Sequence, residues 1–199
     1  MRLLSLPIIL WLLAGGAAMA QQPAPSSMEA LRGLLFLGPR DSQGWEGKGE
    51  GDAYLLSNTD RGGLIRYVYT LGKSSEAAEA QVTVSVDGKA PGAAGLLYGF
   101  DPQRRTYCAL MLNADGTLGL YQRGSDSFQR LVSAQGAALR PGANILRIRV
   151  ERNRLDAFVN GQGVATLAST TVCAGKGDTG IGIIAVSPGR FRFSDFQRR

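Results

Sequence analysis

Apolar and polar residues alternate along much of this 199-residue chain with a period of two. The pattern is clearest in residues 81–87 (QVTVSVD), 144–151 (NILRIRVE) and 189–195 (GRFRFSD). Because successive side chains of a strand point to opposite faces, this pattern predicts half-buried antiparallel strands. Apart from the N-terminal apolar segment and residues 28–35, no window of helical length keeps the period of a helix.

Twelve short strands are predicted, most of which alternate or are uniformly apolar, and turn residues bound them. They cover residues 54–57, 64–70, 81–87, 95–100, 107–112, 118–123, 128–133, 145–151, 155–159, 164–167, 180–186 and 190–193. Asn160-Gly161 predicts a two-residue hairpin turn. Residues 28–37 are predicted to be a short helix or a first strand. Residues 42–52, which carry four glycines around Trp45, are predicted to be a loop.

These strands cannot be stable as isolated hairpins, because a single hairpin leaves its apolar face in water. Two stacked sheets with their apolar faces inward solve this problem. We therefore expect an all-β fold, a two-sheet antiparallel β-sandwich. The hairpin of residues 105–124 (RTYCALMLNADGTLGLYQRG) is expected near its centre.

The chain divides into three segments. Residues 1–20 place Arg2 before the apolar run 3–13 and end in Ala18-Met19-Ala20, which is typical of a cleavable signal peptide. We expect cleavage after Ala20 and a mature protein that is periplasmic or secreted. Residues 21–41 are predicted to be an N-terminal spacer and lead-in segment, and residues 42–199 the β-sandwich domain. No later stretch is long and apolar enough to suggest a transmembrane helix.

Charge and cysteine content narrow the function classes. The 22 basic and 16 acidic residues give a net charge of +6, and the basic residues are scattered and accompany no nucleic-acid motif. Nucleic acid is therefore not an expected partner. Cys108 and Cys173 enter an oxidising compartment, where they either form a disulfide or remain two buried thiols. A disulfide would close a loop of about 65 residues, worth roughly 4 kcal/mol.

Four segments resemble the concanavalin A-like lectin and glucanase superfamily, particularly its laminin-G-like domains. They are residues 94–101 (AGLLYGFD), 107–123 (YCALMLNADGTLGLYQR), 140–167 (RPGANILRIRVERNRLDAFVNGQGVATL) and 178–197 (DTGIGIIAVSPGRFRFSDFQ). The resemblance covers roughly residues 45–197. It implies the jelly-roll fold, which hosts lectins, hydrolases and adhesive modules.

The chemistry favours a non-catalytic protein. The chain has no histidine, which removes the usual general base. The glucanase branch of the superfamily uses Glu-x-Asp-x-x-Glu, but Glu50-Gly51-Asp52 is followed by Leu55 where the second glutamate is required. A glycosidase would still need only two carboxylates at a suitable separation. This keeps a glucanase-like hydrolase as the third-ranked alternative.

Sugar binding requires aromatic faces and polar groups that contact hydroxyls. The candidate ligand-binding residues are Trp45, Tyr67, Tyr69, Tyr98, Tyr107, Tyr121, Arg105 and Arg123. Trp45 is expected on a flexible binding lip. The alternative is that the tyrosines only fill the core or cover a sheet.

No cofactor is expected, with calcium as the one candidate ion, because loop carboxylate and amide oxygens suit it. The candidate ligands are Asp101, Asn113, Asp115 and Asp178. The preferred function is an exported, non-catalytic module that recognises carbohydrate or a cell-envelope component. The second-ranked function is an envelope assembly subunit with a protein partner.

Overall fold

The computed structural model describes residues 28–60, 62–73, 79–125, 127–136, 138–151, 154–168 and 178–199. In these residues it contains one short helix, α1 (Glu29–Arg32), and thirteen strands. The strands are β1 (Glu46–Glu50), β2 (Ala53–Asn58), β3 (Ile65–Lys73), β4 (Glu79–Gly88), β5 (Ala93–Asp101), β6 (Thr106–Asn113), β7 (Leu118–Arg123), β8 (Phe128–Ala134), β9 (Asn144–Glu151), β10 (Arg154–Val159), β11 (Gln162–Ala168), β12 (Asp178–Val186) and β13 (Gly189–Arg198). Each of the twelve predicted strands is present.

The strands form two antiparallel sheets. The seven-stranded sheet has the order β1-β2-β13-β4-β9-β10-β11, and the six-stranded sheet has the order β3-β12-β5-β6-β7-β8. Strands β5 to β8 follow one another as neighbours. Strand β12 lies between β3 and β5, and β13 lies between β2 and β4, all of which come much earlier in the chain. The prediction of a two-sheet antiparallel β-sandwich is confirmed.

The core lies between the sheets and consists of the inward-facing half of each alternating strand. From the seven-stranded sheet it receives Tyr54, Phe191 and Phe193, which are almost completely buried. From the six-stranded sheet it receives residues such as Leu96 and Leu110. Burying side chains of this size contributes about 1.5–3 kcal/mol each. Burial of these alternating apolar side chains therefore stabilises the packing of the two sheets.

The lead-in segment joins this core. Leu31 of α1 is fully buried in it. The hydroxyl of Tyr54 donates a hydrogen bond to the carbonyl of Phe36 at 2.9 Å. The backbone of Gly38 pairs with Gly47. A Cβ on Gly47 would lie 1.9 Å from the Phe36 carbonyl oxygen, so this close approach requires glycine.

Strand β1 lies in the segment that the sequence predicts to be a loop, and that prediction is wrong for residues 46–50. Its residues are glycines and charged groups, and four of the five are exposed. It is a strand because it pairs with β2 along its whole length, not because it alternates. The predicted turn at Asn160-Gly161 is present, with φ values of +49° and +84°. Among the described residues no helix is long and apolar enough to cross a bilayer.

Candidate ligand-binding face

The six-stranded sheet carries a second apolar cluster on its outer side, which faces away from the core. We call this cluster the aromatic face. It consists of Tyr67, Tyr69, Ala93, Leu97, Phe100, Tyr107, Ala109, Met111, Tyr121, Ile184 and Val186. Outward positions of a sandwich are ordinarily polar, whereas here seven apolar side chains are buried and those of Tyr67, Tyr69, Tyr121 and Val186 are half-buried. The aromatic face is therefore the candidate functional site.

Four aromatic rings meet at one end of this face. The centroid of Phe100 lies 4.8 Å from that of Tyr67, 4.6 Å from that of Tyr69 and 6.1 Å from that of Tyr107. The rings of Tyr67 and Tyr107 are 6.4 Å apart, although three strand spacings, roughly 14 Å, separate their strands. The side chains therefore lean toward one another across the sheet.

Strand β12 lies between β3 and β5, and its residue Gly180 makes room for this ring cluster. A Cβ on Gly180 would lie 2.6 Å from Cδ2 of Tyr69 and 3.1 Å from Cβ of Phe100. Both distances are shorter than a normal van der Waals contact. The absence of a side chain at Gly180 is therefore what allows the rings from the two flanking strands to meet.

A bulge in β5 places Phe100 on the aromatic face. The register of β5 against β6 shifts between Tyr98 and Asp101, and Gly99 within the shift has a φ of +66°. Leu97 points outward and Tyr98 inward, and the extra residue returns Phe100 to the outer side. Phe100 is not among the candidate ligand-binding residues predicted from the sequence. The only signal was an isolated glycine within a strand, which often marks a bulge.

Tyr121 is held in a fixed orientation at the other end of the face. Its ring stacks on Phe128 with a centroid distance of 5.3 Å and an interplanar angle of 9°. Its hydroxyl donates a hydrogen bond to Oδ1 of Asn113 at 3.0 Å. The ring lies over Gly119, where a Cβ would be 2.2 Å from Cε2. Tyr121 and Asn113 thus place an aromatic surface beside an amide group.

The tyrosines of the face differ in their accessibility. Tyr67, Tyr69 and Tyr121 are half-buried, whereas Tyr107 is buried. Burial raises the pKa of the Tyr107 hydroxyl, and the nearby charge of Arg123 partly opposes that shift. Arg123 lies directly opposite Tyr107 in the pairing of β6 with β7 and is half-buried.

A groove of about 440 Å³ adjoins Tyr67 and Tyr69 and separates them from Leu34. This volume is within the range of known small-molecule sites. A groove of about 270 Å³ lies on the outer side of the seven-stranded sheet, between Glu46, Lys48, Asp87 and Arg190. Apolar side chains such as Leu55 also line it, but its only aromatic lining residue among those described, Phe191, belongs to the core, so no cluster of rings faces it. The groove beside the tyrosines is therefore the better candidate for ligand contact.

The structure contradicts the prediction that Trp45 lies on a flexible binding lip. Its side chain is 0 % exposed and packs against Phe191, with ring centroids 6.3 Å apart. Its backbone N–H donates to the carboxylate of Asp41 at 2.8 Å, which fixes the approach to β1. An indole that belongs to the core cannot contact a ligand, so this part of the prediction is wrong.

Tyr98 must also be removed from the ligand-binding set. It alternates with Leu97 and points into the core, where burial raises its pKa to about 12. Tyr67, Tyr69, Tyr107, Tyr121 and Arg123 lie on or beside the aromatic face. Arg105 is exposed in the turn between β5 and β6, with a φ of +54°. For these six residues ligand contact stays a prediction.

The structure divides the four candidate calcium ligands between two ends of the sheet. Asn113 pairs with Ala93, whereas Asp101 pairs with Thr106 at the far end of the same two strands, roughly 23 Å away. Asp178 begins β12 near the Asp101 end. Among the described residues no three acidic, histidine or cysteine side chains come together to hold a metal. The four residues therefore do not form one site.

Local hydrogen bonds account for two of these carboxylates. Oδ1 of Asp101 accepts hydrogen bonds from the N–H groups of Gln103 and Arg104 at 2.9 and 3.0 Å. Oδ1 of Asp115 accepts from the hydroxyl and the N–H of Thr117 at 2.7 and 2.9 Å. These bonds from Thr117 lower the pKa of the Asp115 carboxyl. Both residues stabilise turns.

Cys108 is fully buried on the core side of β6. Cys173 lies outside the described residues, and so does the predicted signal peptide. The Cys108–Cys173 disulfide therefore stays a prediction.

Comparisons with known proteins identify the fold. No family model and no curated protein matches the chain. A carbohydrate-binding module, CBM66 from Bacillus subtilis, is similar in structure with a TM-score of 0.62 and 10 % identity, over 78 % of this chain and 91 % of that one. The Emp46p carbohydrate recognition domain in its potassium-bound form gives 0.59 and 12 %, over 84 % and 94 %. A prokaryotic β-1,3-1,4-glucanase from a mouse hindgut metagenome gives 0.56 and 9 %, over 82 % and 89 %.

Identities this low establish the architecture alone. The chain has the jelly-roll β-sandwich fold of the concanavalin A-like lectins and glucanases, as its sequence indicated. Because this fold hosts several activities, function has to be argued from the aromatic face.

Proposed function

We propose that the protein is an exported, non-catalytic module that recognises carbohydrate through the aromatic face. The observation that carries this proposal is the set of half-buried rings of Tyr67, Tyr69 and Tyr121 on the outer side of the six-stranded sheet. Aromatic rings offer flat apolar surfaces on which the apolar faces of sugar rings can stack, and the hydroxyls and the Asn113 amide offer hydrogen bonds. The carbohydrate-binding neighbours support the same class of ligand.

The distribution of carboxylates supports a non-catalytic role. Glycoside hydrolysis requires a pair of carboxylates that flank the scissile bond. Asp101 and Asp178 are the only acidic residues within the six strands of this sheet, and each occupies the end of its strand. The floor of the aromatic face is instead formed by residues such as Leu97, Ala109 and Met111. Such a floor can bind a ligand but offers no acid or base.

A second candidate function, an envelope assembly subunit, is favoured by one observation. Ile65 and Leu71 on β3 are 38 % and 54 % exposed, and Leu34 across the groove is 55 % exposed. Together they extend the apolar surface to the edge of the sheet. A protein partner with an apolar segment would bury this edge.

A binding panel tests the carbohydrate proposal. Mature protein is run through gels that contain soluble polysaccharides, both neutral and anionic, and is tested for retention by insoluble peptidoglycan, with and without chelator. The double variant Tyr67→Ala/Tyr69→Ala should weaken binding by about tenfold or more, since each stacking contact is worth about 0.5–1.5 kcal/mol. Phe158→Ala is the matched control, because Phe158 lies on the outer side of the other sheet under Arg147.

Retention by none of the glycans, or equal binding by both variants, would contradict the proposal. Binding to envelope proteins alone would favour the second candidate.

A further inference from the structure

We infer that the carbohydrate bound by the aromatic face is an anionic polysaccharide, with its carboxylate groups held by Arg123. This inference rests on the proposed function and specifies the class of its ligand. Three observations carry it: the state of the arginines on the two outer faces, the position of Arg123, and the charges that surround it.

The arginines on the outer side of the seven-stranded sheet are paired with carboxylates. These pairs are Arg147 with Glu79 at 3.8 Å, Arg149 with Asp156 at 3.6 Å, Arg154 with Asp156 at 2.9 Å, Arg190 with Asp87 at 4.0 Å, and Arg192 with Glu50. Arg105, Arg123 and Arg130 border the aromatic face. None of these three forms an ion pair with a carboxylate in the described part of the chain. Charges that are neutralised within one sheet are thus left unpaired on the other.

Arg123 is placed where it can act together with the rings. It lies opposite Tyr107 on β6 and opposite Phe128 on β8, between the ring cluster and the stacked pair of Tyr121 and Phe128. It is half-buried, so its guanidinium is partly desolvated and a counter-charge there is worth more than in open water. A planar guanidinium also binds a carboxylate through two parallel hydrogen bonds.

The other two arginines border the face on either side of Arg123. Arg130 lies opposite Tyr121 on the edge strand β8 and is exposed. Arg105 is exposed in the turn that leads into β6. Asp115 is near enough to Arg130 for that charge to contribute to its lowered pKa, but the two form no ion pair. Arg104, in the same turn as Arg105, pairs with Asp101 at 3.9 Å. Arg105, Arg123 and Arg130 have no such partner among the described residues, and a neutral glycan would leave them without one.

The experiment compares polygalacturonate with a neutral β-glucan by affinity electrophoresis of the mature protein. The wild type should bind polygalacturonate at least about tenfold more tightly, and Arg123→Gln should remove about tenfold of that preference, since a charge-assisted hydrogen bond contributes about 1.5–3 kcal/mol. Arg190→Gln makes the same charge change on the other sheet and should keep the preference. Arg123→Lys should restore only part of it, because lysine cannot bind bidentately. Thermal unfolding shows that each variant is folded.

The outcomes separate this inference from the proposed function. Equal binding of both polymers, or equal losses in Arg123→Gln and Arg190→Gln, would overturn the inference, while a loss in the tyrosine double variant would still support carbohydrate recognition. Retention by none of the glycans would overturn both. Vesicles of phosphatidylglycerol serve as a second anionic probe. Binding to them without binding to polygalacturonate would assign the arginines to a lipid surface and overturn the inference.

Discussion

A shift of one residue within a strand decides whether an aromatic side chain fills the core or lines the outer face. In β5, Tyr98 faces the core, and the bulge at Gly99 turns Phe100 to the aromatic face. Strict alternation would place both rings on one side, so the sequence could not predict Phe100. Tyr67 and Tyr69 lie on a regular strand, where alternation alone places both rings on the same face.

A substitution of Trp45 tests whether this side chain belongs to the core or to the ligand-binding residues. We expect Trp45→Ala to lower the free energy of unfolding by about 3–5 kcal/mol, because it removes a fully buried indole from the core. Chemical denaturation measures this change. Leu37→Ala is the control in the same segment and should change the stability by less than about 0.5 kcal/mol, since Leu37 is 56 % exposed. A folded Trp45→Ala protein with wild-type stability and weaker glycan binding would return Trp45 to the ligand-binding residues.

At the scale of elements, alternating or uniformly apolar runs bounded by turn residues were enough to predict twelve strands but not how they are arranged. Hydrophobic period is a property of neighbouring residues, whereas the insertion of β12 between β3 and β5 depends on residues more than 75 positions apart. Strand β1 was missed for the opposite reason, because pairing with β2 makes a strand of a sequence that has no apolar period. The site lies where such non-local pairings meet, so its assembly could not be predicted from the sequence.

Gly180 in β12 tests how the elements build the aromatic face. We expect Gly180→Ala to displace the Tyr69 ring, to reduce the near-ultraviolet circular dichroism of the tyrosines and to lower stability by about 1–3 kcal/mol. Binding in the polysaccharide panel should fall with it. Gly49→Ala is the control in β1, where a Cβ would meet no atom within 4 Å. If both variants behave like the wild type, the ring cluster does not depend on the space at Gly180.

At the scale of the whole molecule, the sandwich has two unlike outer surfaces. The seven-stranded sheet presents alternating arginines and carboxylates, as NILRIRVE and GRFRFSD indicate in the sequence. The six-stranded sheet carries an apolar cluster on its outer side, and its sequence carried a signal for this, because residues 93–98, 107–112 and 180–186 are nearly continuous apolar runs. Such runs are typical of strands buried on both faces. They could not reveal which face would be left for a ligand.

A single mass measurement tests the two predictions that concern the chain as a whole, its export and its disulfide. Protein recovered from the periplasm or the medium should begin at Gln21, because Ala18-Met19-Ala20 has the pattern of a signal-peptidase site. Its intact mass should be lower than that of the reduced protein by two hydrogen atoms, since Cys108 and Cys173 are expected to pair in an oxidising compartment. Cys108→Ser/Cys173→Ser is the control, and reduction should not change its mass. Retention of residues 1–20 in the purified protein would contradict export by cleavage. Two free thiols in the exported protein would contradict the disulfide. The roughly 4 kcal/mol expected from closing that loop would then be absent, and the packing of the two sheets alone would stabilise the fold.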